Sequence, residues 1–217
     1  MRILSLLSGL IFSTVTLAEV NIYAIDIPGL HEKNGGGIYD NLINEALVSE
    51  GKASLKVLPP ARAEHSFANC TNCCISPANL NSEFYDFGSD VVQTEPMGIA
   101  KIHIFSQPGA PVLTSLEELK GKKVGIRHGM PYGKSFDGAG LKTVEITKIA
   151  NNIAKLEAKR IDVMVAYVPD AYDAFSAEGK KPFPHAKDAP IAVHPDALVC
   201  KGVSQDFIDS FNVHIKK

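Results

Sequence analysis

The sequence has no tryptophan, no block of basic residues and, after its first eighteen positions, no apolar run long enough to span a bilayer. With 22 basic against 24 acidic side chains, it carries no electrostatic footprint for nucleic acid. Neither a Gly-x-Ser-x-Gly elbow nor a His-Glu-x-x-His pair is present, so two common hydrolase signatures are excluded. The glycine-rich "NGGGIYD" lacks the Lys-Ser or Lys-Thr of a phosphate-binding loop and reads as a turn. Low-complexity segments and internal repeats are absent. Cysteine is scarce: Cys70, Cys73 and Cys74 cluster in "NCTNCCISPAN" and Cys200 stands apart. A zinc site needs about four ligands, of which Cys70-x-x-Cys73 supplies half. A redox thiol belongs at a helix N-terminus, whereas "CTNC" follows a predicted helix. No metal and no cofactor is therefore expected, and the cysteines read as structural disulfides. Four cysteines allow three complete pairings; a local bridge from Cys70 to Cys73 or Cys74 and a bridge from this loop to Cys200 are both feasible.

The one apolar run lies at the start. "ILSLLSGLIFSTVTLA" follows Met1 and Arg2, and Thr16 and Ala18 occupy the positions a signal peptidase reads. Residues 1–18 are expected to be a cleaved signal peptide, and the mature chain to be exported to the periplasm, where disulfides persist. Glu19 in place of cysteine removes the acceptor a lipoprotein needs. The remaining length suits one large domain or two small lobes.

Along the mature chain, "VNIYAID" alternates as a strand does, and "IPGLHEKNGGG" breaks it into a loop. In "IYDNLINEALVSEG", Ile38, Leu42, Ile43, Ala46 and Leu47 recur at helical spacing and Gly51 ends the helix. "SLKVLP" is a strand, and "PARAEHSFANC" opens with a proline suited to a first helical turn. The second half repeats the alternation. "AKIHIF" is a strand and "SLEELKG" a short helix with Ser115 as cap and Glu118 three residues on. "KKVGIRHG" and "TVEIT" are strands, and "KIANNIAKLEAKR" is an amphipathic helix. "IDVMVAY" is an apolar strand buried on both faces. "PIAVH" and "ALVCKG" read as two late strands, and "SQDFIDSFNVHIKK" as a closing helix capped by Ser204. The pattern is α/β.

In this order, "GGGIYDNLINEALVSEG", "LPPARAEHSF", "SLEELKGKKVGIRHGMPYG", "IAKLEAKRIDVMVAY" and "CKGVSQDFIDSFNVHIKK" resemble the type II periplasmic solute-binding proteins, family 3, which commonly deliver amino acids and related polar solutes to ABC importers. The resemblance implies two α/β lobes with a ligand cleft between them and hinge closure over a small-molecule solute. It places lobe 1 at residues 19–105 plus 190–217 and lobe 2 at 106–189, with the crossings in "SQPGAP" and "KDAPIAVHP". The expected partners are the solute and either an ABC permease or a membrane sensor, with the protein itself a monomer and no nucleic acid bound. Ligands of open α/β sheets sit at the carboxyl ends of strands, here the loops after Asp26, Leu58, Ile126 and Ala166.

The departures matter as much. Family members that bind α-amino acids usually place an arginine shortly after a Thr-Pro pair, whereas "ISPAN" has Ser76 and Pro77 but ends in Asn79. They usually place an aspartate five residues after the strand-starting acid, and counting from Asp162 gives Tyr167. Met130 replaces a customary threonine. On this alignment both charged anchors are absent, and an amide cannot replace the charge of a bidentate arginine. The cleft candidates are Asp26, His31, Arg62, Ser76, Asn79, Arg127, His128, Met130, Tyr132 and Tyr167, with Asp162 read as structural. A sensor accessory shares the fold and the site. A small-acid lyase or hydrolase on the same fold is a third reading, and the expectation is that the protein is not an enzyme.

Overall fold

A computed structural model describes residues 19–215; the predicted signal peptide lies outside them. Among the described residues nine strands are hydrogen-bonded together, eight of them in one continuous path with the ninth paired beside it. At one end, β1 (Val20–Ile25) runs parallel between β2 (Ala53–Leu58) and β3 (Cys73–Ala78). At the other, β6 (Lys123–Arg127) runs parallel between β7 (Lys142–Ile146) and β8 (Val163–Val168). Between these parallel trios lie two long strands, β5 (Gly98–Ser106) and β9 (Ala192–Lys201), with the short β4 (Val92–Gln93) alongside β9. The helices are α1 (Ile38–Ile43), α2 (Pro60–Ala68), α3 (Lys134–Asp137), α4 (Ile149–Glu157), α5 (Asp170–Ala177) and α6 (Gln205–Ile215). Parallel neighbours need crossover connections, which α1, α2 and α4 supply. Among the described residues no helix is long and apolar enough to cross a membrane.

The innermost strand of each trio, β3 or β8, is buried on both faces. Strand β8 sends Val163, Val165 and Tyr167 into one apolar cluster and Met164 and Ala166 into another, as a near-continuous apolar strand must. Strand β3 divides likewise, with Cys73 and Ile75 on one side and Cys74 on the other. Cys73 therefore bonds back to Cys70, and Cys74 bonds across the sheet to Cys200. The second bridge joins residues directly opposite each other in the β3/β9 ladder.

Several expectations need correction. The segment after Asn72 is not a loop: all six residues of β3 are buried in mid-sheet. Pro77 disguises it, since proline has no N–H for a ladder, and the pairing with β9 does shift register between Ile75 and Ala78. The two late strands are one. β9 changes partner along its length, pairing with β5 through Ala192–Asp196 and with β3 from Ala197, so Pro195 sits near the handover rather than ending a strand. The helix expected from Ile38 begins as α1 and widens into π-helical turns over Asn44–Val48; Gly51, at φ 68°, closes it. The Ser115 segment is a single 3-10 turn, Glu117–Leu119, with the Glu118 carboxylate accepting the Ser115 N–H at 3.0 Å. Helices α3 and α5 had no counterpart in the sequence reading. Because β5 pairs with β8 and with the first half of β9, we propose that the lobes divide at 94–97 and within β9, rather than after Phe105.

Candidate ligand-binding cleft

The parallel strands β1 and β3 end on one side of a crevice, and β6 and β8 end on the other. Where they meet, Ile25, Ile27 and Leu30 from the end of β1, Pro77 from β3, Tyr85, and His194 and Asp196 from β9 face Met130, Tyr167 and Asp170. The space among them is tight, with room for about one water molecule. Behind Met130, Tyr167 and Asp170 a second pocket is lined by Arg127, Tyr132 and Asn152.

The lobes touch across this crevice. An Arg127 Nη2–H donates to the backbone oxygen of Asp26. The Glu83 carbonyl accepts the Lys134 N–H at 2.8 Å and its carboxylate accepts the Ser135 N–H at 2.7 Å, holding that carboxyl below its usual range. Gly29, with φ 75°, lies so close to Asp173 that a Cβ there would sit 2.1 Å from the carboxylate. Glu83 thus acts as a latch between β3's exit loop and the first turn of α3. Glu83→Ala is expected to loosen the closed form, with small-angle scattering reading a radius of gyration roughly 1 Å above the ~16 Å of a compact chain of this length. An unchanged radius would assign Glu83 no part in closure.

Two buried polar chains frame the pocket. In the first, His194 Nδ1 donates to Asp196 Oδ1 at 2.7 Å, Tyr39 donates to Asp196 Oδ2 at 2.9 Å, and the Tyr85 hydroxyl lies 3.2 Å from His194 Nε2. Burial and the adjacent Asp196 push the Tyr39 hydroxyl far up. Phe84, Tyr85 and Tyr167 surround the His194 ring at centroid distances of 4.9, 5.7 and 5.7 Å. In the second chain, Asp40 Oδ1 lies 2.7 Å from His31 Nδ1, and His31 Nε2 lies 2.8 Å from Ser76 Oγ. These are the groups of a serine hydrolase relay. Yet all three side chains are fully buried and none lines either pocket, so the chain fastens the 27–37 loop to β3.

Asp170 is a buried acid with one oxygen unpartnered. It is 3% exposed, and burial pushes its carboxyl up to about 8, with Arg127 opposing the shift and Asp196 adding to it. Its Oδ1, Arg127 Nη1 and Asn152 Oδ1 are buried without a hydrogen-bond partner, and all three residues line the second pocket. Among the described residues no group of three or more side chains could hold a metal ion.

Of the residues singled out from sequence, the structure gathers Arg127, Met130, Tyr132 and Tyr167 at the pockets. The others lie elsewhere. Asp26 contributes its backbone to the lobe contact while its carboxylate sits 4.0 Å from Lys33 at the surface. His31 and Ser76 belong to the buried chain. Arg62 and His128 are exposed, the latter bonded to Glu145. The Asn79 amide donates to Pro195 O at 3.1 Å and accepts from Asn81 N at 2.9 Å, tying β3 to β9. Asp162 accepts the Lys123 N–H at 2.7 Å. The first acid after Tyr167 is Asp170, three residues on, which opens α5 one proline beyond the end of β8. Tyr85, Asn152, Asp170, His194 and Asp196 were not anticipated; a lone acid just past a buried strand was the one signal available.

The same arrangement occurs in solved structures. The ligand-binding core of GluR0 in complex with L-glutamate superposes with a TM-score of 0.72, covering 93% of this chain and 92% of that one at 16% identity. A histidine kinase sensor domain with similarity to periplasmic binding proteins gives 0.70 over 92% and 89% at 15% identity. The substrate-binding protein of an amino acid ABC transporter gives 0.67 over 92% of both chains at 14% identity. The chain has the two-lobed α/β fold of the periplasmic binding proteins. These neighbours are binding proteins rather than enzymes, and at such identities the likeness is one of fold. No family model matches the sequence, and no curated protein does.

Proposed function

We propose that the protein is a periplasmic solute-binding protein that closes its cleft over a small polar solute, an amino acid or related small organic ion, and delivers it to an ABC importer. The observation that carries this reading is the trio of buried, unpartnered polar atoms of Arg127, Asn152 and Asp170. They come from three different elements and lie beside the lobe boundary. Buried polar groups without partners are few in native proteins because each costs roughly 1–3 kcal/mol. A solute bearing donors and acceptors would satisfy them. Asp170 supplies an acid close to where the alignment found none, while the arginine sought in the first lobe has no counterpart lining either pocket. The buried Ser76–His31–Asp40 chain supports no catalytic alternative.

A second reading, a sensor accessory that reports the solute to a membrane receptor, draws on the likeness to the histidine kinase sensor domain. Loss of solute uptake on deletion supports the importer, and co-purification with a receptor supports the sensor. The cleft itself is tested by a thermal-shift screen of amino acids, polyamines, organic acids and small peptides. A solute at a hundred times its Kd should add about 2.7 kcal/mol of stability. If no small solute raises the melting temperature, the solute-carrier reading fails.

A further inference from the structure

The first pocket is built differently from the second. Its walls are Ile25, Ile27, Leu30, Met130 and the rings of Tyr85 and Tyr167, and neither lysine nor arginine lines it. Two acids do, Asp170 and Asp196. Asp196 is already capped by donors from Tyr39 and His194. Asp170 is not: it is 3% exposed and its Oδ1 has no partner. Arg127, the nearest guanidinium, lines only the second pocket, with its Nε bonded to Thr147 O at 3.3 Å and its Nη2 to Asp26 O. It serves as a brace between lobes.

Resting on the solute-binding reading above, we infer that the cleft selects a small monoamine cation with an apolar or aromatic body, and rejects the amino acid that carries the same side chain. The ammonium would sit on the free oxygen of Asp170, where a charge-assisted hydrogen bond replaces an unmet one. Tyr85 and Tyr167 offer ring faces that attract a cation, and the aliphatic wall takes the hydrocarbon. An α-carboxylate finds neither lysine nor arginine in this pocket, its His194 is already bonded to Asp196, and desolvating a carboxylate beside Asp170 and Asp196 is unfavourable. A closed cleft also buries the Asp170 carboxyl, which burial alone drives toward its neutral form. A bound cation lets it stay ionised, so closure and cation capture favour each other.

The test is isothermal titration calorimetry of the purified protein with matched pairs, isoamylamine against leucine and phenethylamine against phenylalanine. Each amine should bind at least about tenfold more tightly than its amino acid. Asp170→Asn should weaken the amines by more than about thirtyfold, while its melting temperature without solute stays equal or rises because a buried acid has been removed. Leucine or phenylalanine binding as tightly as its amine would overturn the inference and leave the solute-binding reading standing, with Arg127 as the carboxylate anchor. Unchanged amine affinity in Asp170→Asn would overturn it as well. Failure of amines, amino acids and organic acids alike would end both.

Discussion

Replacing Cys74 and Cys200 together by alanine should lower stability by about 4 kcal/mol, or roughly 10 °C in melting temperature for a chain of this size. The bridge spans 126 residues, and a cross-link that closes a long loop removes much of the entropy of the unfolded chain. It also joins two fully buried side chains in the cluster beneath α6. The same replacement at Cys70 and Cys73 should cost about 2 kcal/mol or less, because that bridge spans three residues and Cys70 is half-exposed at the end of α2. Urea denaturation of the two double variants measures both. Equal losses would mean that local packing around β3, and not loop closure, sets the value of each bridge.

The second large effect is expected at His31. His31→Ala removes the middle of the buried chain, leaving Ser76 Oγ and Asp40 Oδ1 without their partner and a void the size of an imidazole. A loss of about 3 kcal/mol follows. The pH dependence carries its own signature. Burial raises the Asp40 carboxyl, but the hydrogen bond from His31 and the N–H groups of Glu32 and Gly37 outweigh it and hold the group below its usual value. A depressed folded value stabilises above the unfolded carboxylate range, near 4, and that contribution disappears as pH falls through the folded value. The gap between wild type and His31→Ala should therefore be widest near neutrality and narrow below about pH 4. A gap that does not change with pH would place the whole loss in packing.

Much of the fold was legible because its strongest signals are local. The apolar run that forms β8, the helical spacing of α4 and the glycine that closes the first helix each depend on neighbours within a few positions. Strand β3 was hidden because Ser76 and Pro77 look like turn residues, and only burial between β1 and β9 makes them part of a sheet. The site was less legible still. Asp196 draws its donor from Tyr39, 157 residues away, and His194 meets Tyr85 across 109. Such pairs leave no trace in spacing. Asp170 escaped for a simpler reason: the fixed count from Asp162 ends on the strand itself at Tyr167, and Asp170 opens the next helix one proline beyond the strand. Asn79 drew attention by standing where an arginine was sought, yet its amide closes a backbone gap between two strands.

Strand β9 has a consequence for how the chain is made. It pairs with β3 through one half and with β5 through the other, yet it comes from the last thirty or so positions to be synthesised. The trio that ends in β3 cannot acquire its inner neighbour until nearly the whole polypeptide is available, whereas β8 already has β5, and pairings of such long sequence separation form slowly. The β1–β3 half of the sheet therefore stays open along the edge of β3 until the C-terminal strand arrives and joins it to β5.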